Sequence, residues 1–455
     1  MKETNDYYET IPNVITSEYI MDKPNQSIDI FEGEYSLKKE DRAITLKGKI
    51  FFNWLPTQNV KFEGLVKESE LKYIDKLDFC SEIELYINEC VLGKVLIQNI
   101  KRSQNADLRI EVDGIINSES IFGDTSISVS KVIFTIPNLR DLLGNPVKVK
   151  NEKGGVNTYL GRSIFENDKY VIIIDKLSNY KTLFDDLKKQ GGFINLYTGE
   201  ITKKKGDISF KEIQELRHTF SVFLSFLNGR RCTPLLLQGV HDNEIKWTDF
   251  TTYRTEPFKT VVSWLPMLPK DGLNELWCNF TNLWKNENDK DFLEFIVHWY
   301  LEANGNSAKI EGSIIIAQVA LELIYNWLII EKKKLIIGKD GENISAANKI
   351  RLLLSHIKLE IHTPNAQINL KKFIKDNNEI VDGVDAFVSI RNALVHSQVE
   401  KRKKLTKISP EVQIEALQLS IKYIEHSILS ILDYKGKYYD RCSGKLYEGE
   451  GEIYI

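Results

Sequence analysis

Paired cysteines are missing from this chain. Among its 455 residues, Cys80, Cys90, Cys232, Cys278 and Cys442 are odd in number, widely scattered and never in a CxxC pair. That usage argues against a disulfide framework and a structural zinc site, and it fits a reducing compartment. Strong net charge is missing too, at a formal value of −3. A protein coated in positive charge for general polyanion binding is thereby excluded, whereas local basic grooves are not. With 42% hydrophobic and 27% charged residues, no segment has a disordered composition. The opening stretch, MKETNDYYET, is acidic and polar where a secretion signal is basic and then apolar. Export is not expected, and the cytoplasm is the expected location. The familiar catalytic signatures are absent as well: there is no P-loop, no GxGxxG after a strand, no HExxH and no GxSxG. No two histidines share a helix face with a nearby carboxylate, so neither a metal nor a cofactor is expected. Metal-free chemistry or binding is what these absences leave.

The length predicts more than one domain, and the expected fold class is α+β multidomain. Residues 1–205 read as a β-rich sensor or regulatory domain, a sandwich or barrel-like fold, with room for a small subdomain after Pro146. Strands are expected at 44–54, 60–66, 83–87, 91–100, 108–112, 127–136 and 170–174, each rich in β-branched and aromatic residues and bounded by Gly, Asn, Asp or Lys. No helix of convincing length is expected before Asp185. Lys203 to Lys205 read as a solvated loop. Residues 206–305 read as a mixed helical linker that opens with a helix over 209–228, ended by Gly229. Its aromatic-rich later part, around Trp277, Phe280, Trp284, Phe292 and Tyr300, reads as core in preference to a base-stacking surface.

Residues 306–434 read as an all-α helical bundle, and 435–455 as a tail that has room for a final hairpin. The first bundle helix is apolar for 19 residues from Gly312 to Ile330, close to the length that spans a bilayer. Gln318, Glu322 and Asn326 recur at i, i+4, i+8 and would face lipid, so a buried core helix is expected and no membrane partner. The last helix is expected to start at Ser409 as N-cap with Pro410 at N1, and to run to about Tyr434.

Within that bundle one stretch, SIRNALVHS from Ser389 to Ser397, carries candidate chemistry. Val384, Phe387, Val388, Leu394 and Val395 recur at helical spacing with Arg391 inside the stripe. Asn392 and His396 lie one turn apart on nearly the same face, whereas Arg391 and His396 point about 140° apart. One helix alone therefore cannot close all three around a small atom, and a second copy of the helix would have to complete the site. With 13 arginines and 7 histidines, a His five places after an Arg is expected by chance less than once, yet it occurs twice. The other copy, Arg351 to His356 in RLLLSH, has a leucine interior and serves as an internal control. The bland alternative for both is an arginine snorkelling from a packed helix and a histidine at its end. Favouring the later copy are its polar Asn392 and the run KRKK just beyond it. From Arg391 to Lys407 there are six Lys or Arg against one acid, Glu400.

RNALVH resembles the motif of the HEPN ribonucleases, in which an Arg is followed four to six residues later by a His, often with a polar residue directly after the Arg. The β-rich half, the linker opening HTFSVFLSFLNGRRCTPLLLQG and the bundle together resemble the ApeA-like proteins of bacterial anti-phage defence. The resemblance implies Arg391 and His396 as catalytic residues with Asn392 beside them, and Glu322 at an acidic position seen in some members. It also implies a metal-independent endoribonuclease, acting in abortive infection on RNA, with tRNA among the candidates, to leave a 2′,3′-cyclic phosphate and a 5′-hydroxyl. The expected assembly is a homodimer through the C-terminal bundle, triggered through the N-terminal half by a phage-derived partner. The alternative from another class is a non-catalytic HEPN-like binding module with a β-rich domain that recognises a ligand or a protein.

Overall fold

Alternating apolar residues build the first part of the chain. The computed structural model describes residues 10–40, 42–71, 82–103, 109–150, 154–266, 272–305, 309–395, 408–445 and 450–455. Six antiparallel strands, β1 (Ile28–Lys39), β2 (Arg42–Asn53), β3 (Asn59–Val66), β4 (Ile83–Ile87), β5 (Cys90–Arg102) and β6 (Ile110–Ile116), close into a barrel in the order β1-β2-β3-β6-β5-β4. Its interior is filled by Tyr35, Leu37, Leu46, Ile50, Phe52, Phe62 and Leu85, all buried. Gly33 faces Gly48, and Gly48 faces Gly64, across three neighbouring strands. A Cβ on Gly48 would lie 1.9 Å from the Glu63 carbonyl oxygen, so this close strand crossing excludes any side chain there.

Eight further strands form a second antiparallel sheet. They are β7 (Ile121–Gly123), β8 (Lys131–Pro137), β9 (Asn145–Lys150), β10 (Val156–Glu166), β11 (Tyr170–Lys176), β12 (Asn195–Lys203), β13 (Leu235–His241) and β14 (Glu244–Asp249), in the order β7-β14-β13-β8-β12-β11-β10-β9. Because β9 to β12 run directly into β8, residues after Pro146 form no separate subdomain. A helix spans Asp185 and starts five residues ahead of it: α1 (Tyr180–Gln190) buries Tyr180, Leu183 and Leu187 in one narrow apolar stripe.

The first long helix begins at residue 210. Helix α2 (Phe210–Asn228) ends at Gly229, whose φ of 72° is the left-handed value that favours glycine after a helix. Two compact units divide the chain within it: Met1–Ser221 with Cys232–Lys259, and Val222–Arg231 with Thr260–Ile455. The expected linker is therefore shared out, β13 and β14 completing the first unit's sheet while α3 (Leu273–Trp284) and α4 (Glu287–Asn304) belong to the second unit. In that unit α5 (Lys309–Tyr325) continues as a wider π-type turn over Asn326–Lys332, and α6 (Ala346–His356), α7 (Ile368–Asp376), α8 (Gly383–Val395) and α9 (Pro410–Ile431) follow. Helices α4, α6, α8 and α9 all pack on α5. The Ser409 hydroxyl accepts the Val412 N–H at 3.4 Å and starts α9 as its sequence dictates. The tail forms a hairpin of β15 (Lys437–Tyr439) with β16 (Glu452–Tyr454).

Among the described residues one helical stretch, Lys309–Lys332, is long and apolar enough to cross a membrane, and 61% of its most apolar window is buried inside the protein. Its Gln318 is buried and donates to Glu322 at 2.7 Å. Trp277, Phe280, Phe292 and Tyr300 are core residues, as their spacing predicts, and Phe292 stacks on Trp327 with ring centroids 4.1 Å apart. The chain is thus an α+β multidomain protein, β-rich in its N-terminal half and helical in its C-terminal half.

Candidate functional site

Helix α8 is anchored before it carries anything. The Asp382 carboxylate accepts the Asp385 N–H at 2.8 Å, an N-terminal cap that satisfies one of the helix's open donors. Val384, Ala386, Phe387, Val388, Ile390 and Ala393 turn its apolar face into the bundle. That face ends earlier than its spacing predicts, because Val395 is 43% exposed. Arg351 of α6 reaches across to the same cap. Its Nε and Nη2 donate to the two Asp382 carboxylate oxygens at 2.8 and 2.9 Å, Nη2 lies 2.7 Å from Asp385, and Nη1 donates to Asn348 at 2.9 Å. These carboxylates raise the Arg351 pKa further, the Asp382 hydrogen bonds above all. Nε and Nη2 of the guanidinium fork are thus spent in holding α8, and Nη1 on the neighbouring turn of α6.

Arg391, two and a half turns along that helix, is held differently. Its Nη1 donates to the Asn392 side-chain oxygen at 3.1 Å, whereas its Nε is buried and has no partner among the described residues. No carboxylate pairs with it among those residues. The structure thus brings together Arg391 and Asn392. His396, the third predicted residue, lies outside the described residues, as do the basic run from 401 to 404 and Lys407. Glu322 is engaged by Gln318. His356, the control histidine, lines a cavity of about 330 Å³ with Asp289, Trp327 and Lys332. His218 places Nδ1 2.6 Å from the Tyr253 hydroxyl. Among the described residues no group of three or more His, Cys, Asp or Glu is placed to hold a metal ion.

A second polar centre in the bundle has no counterpart in the sequence reading. Glu425 on α9 is fully buried. It accepts the Tyr300 hydroxyl at 2.9 Å, the Tyr438 hydroxyl at 2.7 Å and the Arg441 Nε at 3.0 Å, while Arg441 Nη2 lies on its other oxygen. Arg441 Nη1 also donates to Asn304 at 3.1 Å, whose amide donates to the Gly229 and Val262 carbonyls. Burial, and then the Glu425 charge, hold the Tyr438 hydroxyl well above the ordinary tyrosine range. Paired and hydrogen-bonded in this way, the carboxylate is tolerable in the core, and it ties the terminal hairpin to α4 and α9. The adjacent His426 has an unpartnered Nε2, and its imidazole is pushed down to about 4 by burial, with Lys422 adding to the effect. The one legible signal was the polar spacing Lys422, His426, Ser430 within an isoleucine-rich helix.

Fold and site together define a two-unit α+β protein whose helical unit presents an arginine that has no acidic partner among the described residues. The family model for the YopA C-terminal domain matches residues 286–452, and that for the YopA central domain matches residues 124–261. Along its length the chain is similar to the SPbeta prophage-derived uncharacterized protein YopA of Bacillus subtilis (strain 168), at 27% identity over 436 residues, which cover 94% of this chain and 95% of that protein. No solved structure matches.

Proposed function

We propose that this chain is a metal-independent endoribonuclease of the HEPN type that acts in the bacterial cytoplasm against phage. The observation that carries the reading is the Arg391 guanidinium, steadied by Asn392 and left with a buried Nε and no acidic partner among the described residues, in a bundle where Arg351 and Arg441 are both paired with carboxylates. An arginine that no acid neutralises is suited to the non-bridging oxygens of a phosphodiester, which its planar fork matches. In this scheme His396 carries the proton transfers, taking the 2′-hydroxyl proton and supplying one to the departing 5′-oxygen, as a group with a near-neutral pKa can. Arg391 offsets the charge that builds on the phosphorane. The products are a 2′,3′-cyclic phosphate and a 5′-hydroxyl. A homodimer joined through the bundle supplies the second arginine and histidine, and the β-rich half restrains the site until a phage-derived partner shifts it between two arrangements. The similarity to a prophage-derived protein supports a setting in phage conflict.

The test is incubation of the full chain with total cellular RNA in EDTA, with and without extract of phage-infected cells. Discrete fragments with cyclic-phosphate ends are expected. Mixing Arg391→Ala subunits with His396→Ala subunits should restore part of the activity if two copies share the site. A monomer with full activity would remove the dimer from the scheme. An RNA that is bound but never cut, in either arm, would favour the non-catalytic binding module.

A further inference from the structure

A cavity of about 730 Å³ lies at the C-terminal end of α9, well within the range that small-molecule sites occupy. Three walls build it. The first is the stripe Lys422, His426 and Ser430, one turn apart on α9. The second is the loop 357–365 that follows α6, fastened from behind by Gln367, whose amide donates to the Glu415 carbonyl at 2.9 Å and to Cys442 Sγ at 3.2 Å. The third is Tyr434 with Ile453 and Ile455, the last of these held by its N–H on the Gly436 carbonyl at 3.1 Å. Apolar and basic groups share this lining with the acidic Glu360 and Asp433. Ile357, Leu359, Pro364 and the two terminal isoleucines give it flat apolar surface.

Three observations point to a ligand. His426 is only 8% exposed, lines the cavity, and has an Nε2 with no partner among the described residues, an expensive arrangement unless something else supplies one. Lys422 and Lys435 are paired with Asp440 at 2.7 Å and Asp433 at 3.4 Å, but neither Lys358 nor His362 has an acidic partner among the described residues. Lys358 also sits at a φ of 59°, at the position after a helix where glycine is the relaxed choice.

We propose that this cavity binds a nucleoside monophosphate, a ligand with a planar, largely apolar body and an anionic end. Its base lies against the isoleucine wall with one edge on His426 Nε2, and its phosphate is held at the mouth by Lys358 and His362. The neutral His426 ring offers one donor or one acceptor, which suits a base edge and not a phosphate. This inference does not rest on the ribonuclease reading.

Isothermal titration of the full chain with AMP, GMP, CMP and UMP, and separately with inorganic phosphate and the four uncharged nucleosides, tests it. At least one monophosphate should bind more tightly than phosphate or its own nucleoside. Lys358→Gly should weaken that binding about tenfold, the effect of one charge-assisted contact, while the melting temperature holds or rises as the backbone strain is relieved. His426→Gln should weaken it as well. If that buried substitution unfolds the protein, the exposed Lys358 decides the matter alone. No binding of any monophosphate at millimolar concentration, equal binding by Lys358→Gly, or inorganic phosphate or a nucleoside binding as tightly as the monophosphate would each overturn the proposal.

Discussion

The arginines of two copies of the same six-residue spacing lie on neighbouring helices of one bundle, and the structure treats these arginines in opposite ways. Arg351 is clamped by Asp382 and Asp385, whereas among the described residues Arg391 meets the neutral Asn392 and its Nε has no partner. The first copy fastens the helix that carries the second. Spacing, then, says nothing about role; what decides it is whether a carboxylate lies within reach of the guanidinium. Arg441, in its buried network with Glu425, is the extreme of the committed kind.

Unfolding measurements on single variants sharpen this contrast. The largest effect is expected for Arg441→Met, which leaves the Glu425 carboxylate buried without its cation and should cost about 3–5 kcal/mol in urea unfolding. Next is a pH effect at His426. Its folded-state pKa of about 4 is below the ordinary 6.5, so the unfolded chain binds the extra proton between those values. Stability from this group is complete above pH 6.5 and falls as the pH drops, by about 3 kcal/mol once pH 4 is reached. His426→Gln should flatten that slope. Arg351→Met should cost about 2 kcal/mol, since it leaves two partly exposed aspartates unpaired at the cap of α8. Arg391→Met should change stability by about 0.5 kcal/mol or less, because among the described residues it leaves no charged partner stranded. A loss at Arg391 as large as that at Arg351 would mean that both copies are structural.

Much of the fold could be read directly. β4 stands where the apolar pattern puts it, and the Ser409–Pro410 start of α9 follows from capping chemistry alone. Other elements hid for physical reasons. β1, IDIFEGEYSLKK, alternates barrel-facing residues with Glu and Lys that point to solvent, so its composition looks like a loop. The membership of β9 to β12 in one sheet depends on pairings between distant strands, which no local pattern encodes. The same limit applies to the site. That Arg391 belongs to a polar pair was legible from its neighbour Asn392. That Arg351 is consumed was not, because Asp382 and Asp385 lie on a different helix. Glu425 gave no signal at all, since its partners Tyr300, Tyr438 and Arg441 come from α4 and the terminal hairpin.

The most direct test of the account compares RNA cleavage by three full-length proteins in EDTA, with and without infected-cell extract: wild type, His356→Ala and His396→Ala. The account predicts discrete cyclic-phosphate fragments from the first two and a loss of about 10²–10⁴-fold for His396→Ala at an unchanged melting temperature. Cleavage by His396→Ala at the wild-type rate, or no cleavage by the wild type in either condition, would contradict it.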